Sequence, residues 1–376
     1  MLSTGKIAGI ASLLTIFGLG TANAADVLVP PPAPAPNANT ITLKISGQVN
    51  KELLYADNGP RDGFFIADND NSGTRFRFVA SGRLNEDITA GATIELQYES
   101  NSTAAIAFGN NGGNGGTNLG GGARGVGERI GEVWFKSATM GKLSFGQGNT
   151  ATNGTAETDL SGTGLASYSL AGGGQGGLLF AGTAIAVGSA TTNLDGGSRR
   201  DRVRYDTPTF AGFRVSASAS QGGRNDVALR YANQFAGARI AASVGYQTTA
   251  AVSGAFNDRV SGSISVLLDN GFNATFAAAN EDRKAAGAND RNFYYGKVGF
   301  RTNSISMYGK TSFSIDYYQS EDMATATSNT AKAYGFGAVQ NLDPIGAQIY
   351  LSVKNFEQDG ATNDLFAVFV GSRIKF

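Results

Sequence analysis

Ile88-Thr89-Ala90-Gly91-Ala92-Thr93-Ile94-Glu95-Leu96-Gln97-Tyr98-Glu99 alternates without a break: Ile88, Ala90, Ala92, Ile94, Leu96 and Tyr98 are apolar, and the residues between them are polar or glycine. A helix would repeat its apolar residues three and four apart, so a period of two identifies a strand with one oily and one wet face. The C-terminus repeats the pattern: Phe366, Val368, Val370, Ile374 and Phe376 share a face broken only by Ser372, while Arg373 and Lys375 lie on the other. Carried along the chain, the same test predicts sixteen strands, at 41-55, 74-84, 88-99, 129-137, 142-148, 201-207, 212-220, 226-235, 238-248, 258-268, 272-281, 291-301, 310-320, 332-341, 347-357 and 364-376.

The connections fall into two classes. Asn85-Glu86-Asp87, Met140-Gly141, Ala236-Gly237, Asp269-Asn270-Gly271 and Asp343-Pro344 carry residues that close tight hairpins. Ala56 to Gly73, Asn101 to Glu128 and Gly148 to Arg200 read as long polar links between them. Short turns at one end, long loops at the other and an even strand count are the layout of an all-β transmembrane antiparallel barrel in an outer membrane, with short periplasmic turns and long external loops. Sixteen strands enclose too much volume for side chains to fill, so the oily face points outward into lipid. Tyr55, Tyr98, Tyr205, Phe213, Tyr231, Tyr246, Phe272 and Tyr317 fall near strand ends, where amphipathic rings suit the lipid-water boundary.

Composition removes most catalytic chemistry. The chain has 376 residues, with no Cys and no His, which excludes disulfides, thiolate nucleophiles, Cys- or His-ligated metals and the Ser-His-Asp triad. Thirty basic residues balance thirty acidic ones, so no overall basic field attracts nucleic acid. No enzyme activity and no cofactor are expected. Residues 1-24 read as a signal peptide: a basic start through Lys6, an apolar stretch from Ile7 to Leu19, and Ala22-Asn23-Ala24 as the cleavage site. Residues 25-39, with Pro30, Pro31, Pro32, Pro34 and Pro36, read as an extended Pro-rich tether. The barrel is then expected over 40-376.

Thr74 to Leu84 followed by Thr89 to Glu99 resembles the second hairpin of the Gram-negative general porins, and three other stretches agree. These are Glu132-Val133-Trp134-Phe135 through Gln147, Val203 to Pro208 with Phe210-Ala211-Gly212-Phe213, and the terminal Phe376. The resemblance implies a sixteen-stranded homotrimeric barrel in the outer membrane of a Gram-negative bacterium, passing small hydrophilic solutes and ions passively. It further implies that the third long loop, here about 148-200, folds inward to narrow the pore, and that Phe376 serves as an assembly signal. The second long loop, here containing Gly112 to Gly122, can latch onto a neighbouring subunit in that family.

Parity assigns a lining. If Phe76, Phe78 and Leu84 face lipid, Arg75, Arg77 and Arg83 face the lumen, and Val203 and Tyr205 outward put Arg202 and Arg204 inward. Charges on the lipid face would cost ~2-4 kcal/mol each at the midplane, which favours this orientation. The resemblance implies acidic loop residues facing a basic wall, so Arg75, Arg77, Arg202 and Arg204 are expected to oppose Glu157 and Asp159. Asp68-Asn69-Asp70-Asn71-Ser72-Gly73 has the start of a calcium loop, but Val79 stands where the bidentate carboxylate belongs, which favours an ordinary polar loop. The competing functions are a substrate-specific porin, against which the inward aromatics Trp134, Tyr295 and Tyr350 are scattered over different strands, and a barrel serving mainly as an adhesin.

Overall fold

The computed structural model describes residues 41–109, 125–249, 256–324 and 328–376. The signal peptide, the Pro-rich tether and the Gly112 to Gly122 stretch lie outside the described residues. Among them run β1 (Thr42–Asp57), β2 (Asp62–Asp68), β3 (Arg75–Arg83), β4 (Ile88–Glu99), β5 (Gly125–Ser137), β6 (Gly141–Asn149), β7 (Arg199–Asp206) and β8 (Phe213–Ser220). They continue as β9 (Arg224–Phe235), β10 (Ala238–Thr248), β11 (Phe256–Leu268), β12 (Phe272–Arg283), β13 (Arg291–Thr302), β14 (Thr311–Glu321), β15 (Thr330–Leu342), β16 (Ala347–Gln358) and β17 (Leu365–Lys375). β2 lies along Lys51 to Asp57 of β1 and β3 along Thr42 to Gln48, so the two are halves of one stave, separated by a 3-10 turn at Asp70–Ser72. Counted so, the wall has sixteen antiparallel staves.

Closure is direct. β17 pairs with β1 from Gln48↔Lys375 to Asp57↔Phe366, which leaves no open edge for hydrocarbon to strand. The backbone of Phe376 exchanges two hydrogen bonds with Gly47, at 2.8 and 3.1 Å, and its ring lies 6.0 Å from that of Phe76. A Cβ on Gly47 would stand 2.6 Å from the Phe376 ring, so the glycine makes room for the terminal aromatic.

The faces sort as the alternation requires. Ile94, Val133, Val203, Val260, Ile264, Phe276 and Ile315 are exposed on the outside, while Thr93, Glu95, Ser261, Ser263, Thr275 and Ser314 are buried on the inside. Tyr205, Phe213, Tyr246, Phe272 and Tyr317 are exposed near strand ends, and Phe213–Tyr231 and Phe272–Phe300 pack ring against ring at 4.5 and 5.0 Å.

One expectation is corrected. Ala56 to Gly73 is not a long loop: the chain turns tightly between β1 and β2, where the Arg61 amide is bonded by the Asn58 side chain at 3.0 Å, and returns along β1. The adjacent Phe64 and Phe65 broke the simple alternation, yet Phe64 and Ile66 point outward, 83% and 68% exposed. The β8–β9 connection is equally short, so the contrast between the two barrel ends rests on a few connections rather than on all of them.

Residues 150–198 leave β6 and fold onto the inner wall. They carry a single helical turn, Val187–Ala190, and so little regular structure of their own that their backbone depends on the inward hydroxyls of the staves. Ser218, Ser263 and Ser265 accept from the amides of Ala151, Thr158 and Leu160, each at 2.9 Å, and Ser352 and Ser320 donate to the carbonyls of Ala166 and Ala190 at 2.8 and 2.6 Å. Leu165, Leu178, Phe180, Val187 and Leu194 then pack with Leu54, Phe293, Tyr295, Tyr318, Phe356 and Phe369 into an apolar core inside the barrel. Among the described residues no hydrogen bond joins this segment to β3, β4 or β5.

Candidate functional site

The uncovered wall is basic. Glu95 on β4 faces inward, 2% exposed, and accepts from Arg77 Nε at 2.6 Å and Arg129 Nε at 2.7 Å, with the Arg75 guanidinium 3.9 Å away. Arg75 and Arg77 stand two apart on β3, opposite Gln97 and Glu95 of β4, so strand geometry puts both forks on one inward row. Arg129 joins them because the pairing of β4 with β5 slips at Glu95/Leu96. Without that slip, the parity set by Val133 and Phe135 would turn Arg129 outward. The side chain of Arg77 points into the barrel and is still 46% exposed, so the space between this wall and the internal segment is open to solvent. Arg199, at the start of β7, lies within electrostatic reach of Arg129 and Glu95 on the wall and of Glu157 and Asp195 in the segment. It therefore stands between the two sides of the passage.

Arg202 and Arg204 do different work. Arg202 is bound to Glu132 and donates from Nε to the carbonyl of Asn149 at 3.0 Å. Arg204 pairs with Asp206 and donates to the carbonyl of Thr150 at 2.7 Å. They anchor the root of the internal segment.

The expected opposition of Arg75, Arg77, Arg202 and Arg204 to Glu157 and Asp159 does not form as ion pairs. The wall carboxylates Glu95, Glu132 and Asp206, nearer along the same staves, take those arginines. Asp159 pairs instead with Lys297 on β13 at 2.7 Å. Burial pushes its carboxyl up, but Lys297 and the Ser161 donors outweigh that and hold it below the usual range. Glu157 accepts from the Asn193 amide at 3.1 Å. Arg83 is not at this site; it sits beside the β3–β4 turn and donates to the Glu86 carbonyl at 3.0 Å.

Asp195 closes the neck of the segment. Its two oxygens accept from the amides of Gly154 and Ala156 at 2.6 and 2.9 Å, tying the outgoing arm to the returning one. Burial, and then the charge of Glu157, push the Asp195 carboxyl up to about 7. Neither Arg199 nor Asp195 was found from sequence, because both fall inside the stretch read as a loop. Arg129 was missed because its orientation depends on the register shift.

The calcium-loop pattern at Asp68 and Asp70 does not form such a loop. Arg75 onward is strand, and Asp68 is bound by Lys51 and by the amides of Ser100 and Asn101 at 2.9 and 2.8 Å. Of the inward aromatics, Tyr295 and Tyr350 are 2% and 1% exposed beneath the internal segment, and Trp134 donates to Thr93 at 3.1 Å.

A family model described as Gram-negative porin matches residues 11–361. No curated protein matches the sequence. Among solved structures, an anion-selective porin from Comamonas acidovorans superposes with a TM-score of 0.61 at 16% identity, covering 90% of this chain and 100% of that one. The trimer form of in-vitro folded OmpT, an outer membrane protein of Vibrio cholerae, gives 0.55 at 13% identity, covering 90% and 100%. A triple mutant of the Rhodopseudomonas blastica porin gives 0.53 at 16%, covering 89% and 100%.

Proposed function

The chain belongs to the Gram-negative porin family, and from that premise we propose that it is a homotrimeric, non-enzymatic channel whose passage favours anions. Membership and fold make it an outer-membrane channel for passive diffusion; the ion preference is argued from its own lining. The observation that carries it is the imbalance at Glu95, where a single carboxylate is answered by Arg75, Arg77 and Arg129 on a wall that stays wet. Arg199 adds a further cation toward the passage. Fixed cations beside a narrow water path raise the local concentration of anions and repel cations, with an effect that salt screens over about 8-10 Å.

The Vibrio cholerae structure described as a trimer supports a trimeric reading here. Residues 1-24 as an export signal and 25-39 as a tether fit a protein delivered to the outer membrane. A sugar-selective channel would need an accessible aromatic row, and Tyr295 and Tyr350 are instead part of the core.

The zero-current potential across a salt gradient in planar bilayers tests the preference. The wild type should be anion-preferring, and Arg75→Gln with Arg77→Gln should lower the anion-to-cation permeability ratio several-fold. A cation-preferring wild type, or an unaltered ratio in the double variant, would refute it.

A further inference from the structure

A cavity of about 530 Å³ opens on the inner wall at the short-turn end of the barrel, lined by Thr93, Trp134, Lys136, Lys142, Asp206 and Arg214, with the β5–β6 turn and the β7–β8 connection at its edge. Register puts these side chains together. Lys136 of β5 lies opposite Lys142 of β6, Lys142 opposite Asp206 of β7, and Asp206 opposite Ser216 of β8, two residues beyond Arg214. Trp134 and Lys136 alternate with the outward Val133 and Phe135, and Arg214 shares the inward face of Ser216 and Ser218, so all of them point into the lumen. The charges of this cavity do not balance. Like charges directly opposite on neighbouring strands destabilise a sheet, yet Lys136 faces Lys142. Lys142 is answered by Glu132 at 3.2 Å. Asp206, the carboxylate of the lining, accepts from Arg204 at 3.0 Å and from Ser216 at 2.5 Å. Lys136 and Arg214 are exposed, and among the described residues neither makes a hydrogen bond or an ion pair.

The floor is aromatic. The indole of Trp134 lies against Gly91 of β4, where a Cβ would run into the ring, and its Nε1 donates to Thr93 at 3.1 Å. These two contacts fix the ring on the wall with its other face toward the cavity, where the Lys142 amine stands 5.5 Å from the ring centre. Most hydroxyls of the lining are engaged: Ser137 donates to Asp87 at 2.7 Å, Thr207 accepts from the Val215 amide at 3.1 Å, and Thr93 holds the indole, which leaves Thr209. A sugar's many hydroxyls would find one free partner here, whereas a flat ring carrying a carboxylate meets an aromatic face and two unanswered cations. We infer that this cavity is a binding subsite for small aromatic carboxylates, with the ring on Trp134 and the carboxylate drawn to Lys136 and Arg214. The subsite is separate from the arginines around Glu95 and stands whether or not the passage favours anions.

Trp134 is the chain's single tryptophan, so its fluorescence reports on this cavity alone. The full chain folded in detergent is the material, and sodium benzoate is the probe. Sodium acetate supplies the charge without the ring, and benzyl alcohol the ring without the charge. Benzoate should change the Trp134 emission saturably, bind once per chain by calorimetric titration, and bind several-fold more tightly than either control. Lys136→Gln combined with Arg214→Gln should weaken benzoate several-fold, and Trp134→Leu, followed by calorimetry, should bring benzoate down to the level of acetate. Unboiled gel migration confirms that each variant has closed its barrel. Absence of benzoate binding by both readouts, acetate binding as tightly as benzoate, or undiminished benzoate binding by the folded double variant would overturn the subsite.

Discussion

Glu95 sets the charge of the lumen because it is outnumbered. A carboxylate shared by Arg77 and Arg129, with Arg75 at 3.9 Å, satisfies its own lone pairs but leaves net positive charge facing water. Arg77 is the most exposed of the three, so Arg77→Gln alone should reduce anion preference with little effect on folding, as read from the zero-current potential and the gel shift of unboiled protein. Asp195 adds a pH dependence from the opposite side of the passage. Its carboxyl is raised to about 7 in the folded chain by burial and by Glu157, against roughly 3.9 when unfolded. A raised acid favours folding fully below its unfolded value, and that contribution is lost as pH climbs through about 7. Ionisation also places a negative charge near Arg199. Anion preference should therefore fall between pH 5.5 and 8, and Asp195→Asn should flatten the profile; an equally steep profile in that variant would remove Asp195 as the cause.

Elements whose signal is local were legible in the sequence, and those set by distant partners were not. The β4 alternation needs only its own twelve residues, and both its ends match the observed strand. β2 was lost because seven residues containing Phe64 next to Phe65 and flanked by Asp offer too short a period to read without β1 beside them. The direction of Arg129 depends on a slip between two strands, and the partner of Asp159 is a lysine 138 residues away. That last pair carries an element-scale prediction. Lys297 is buried with its amine on Asp159, so Lys297→Met leaves a buried carboxylate uncompensated, at a cost of about 3-5 kcal/mol. The internal segment should loosen, giving larger and noisier single-channel currents. Combining Lys297→Met with Asp159→Leu should restore much of the quiet behaviour, because a well-packed apolar pair replaces the charges. Currents as steady as the wild type in the single variant would show that this pair does not hold the segment.

At the scale of the molecule, the wall is closed by β1 against β17, with Phe376 seated over Gly47. Gly47→Val would press a branched side chain into that ring, and removal of Phe376 would leave the seam frayed. Both should slow barrel formation, seen as delayed appearance of the heat-modifiable band, and Gly47→Ala should be milder than Gly47→Val. The lipid-facing belt and the wet arginine wall are the two faces of the same staves, and Ile94 and Arg77 represent them on neighbouring strands. Since the chain has no native cysteine, a single introduced thiol reports its own surroundings. The most direct measurement is the current through single channels carrying Arg77→Cys or Ile94→Cys before and after a charged, membrane-impermeant thiol reagent. A water-filled passage along β3 predicts a stepwise fall in current for Arg77→Cys and none for Ile94→Cys; a reactive Ile94→Cys with an inert Arg77→Cys would contradict it.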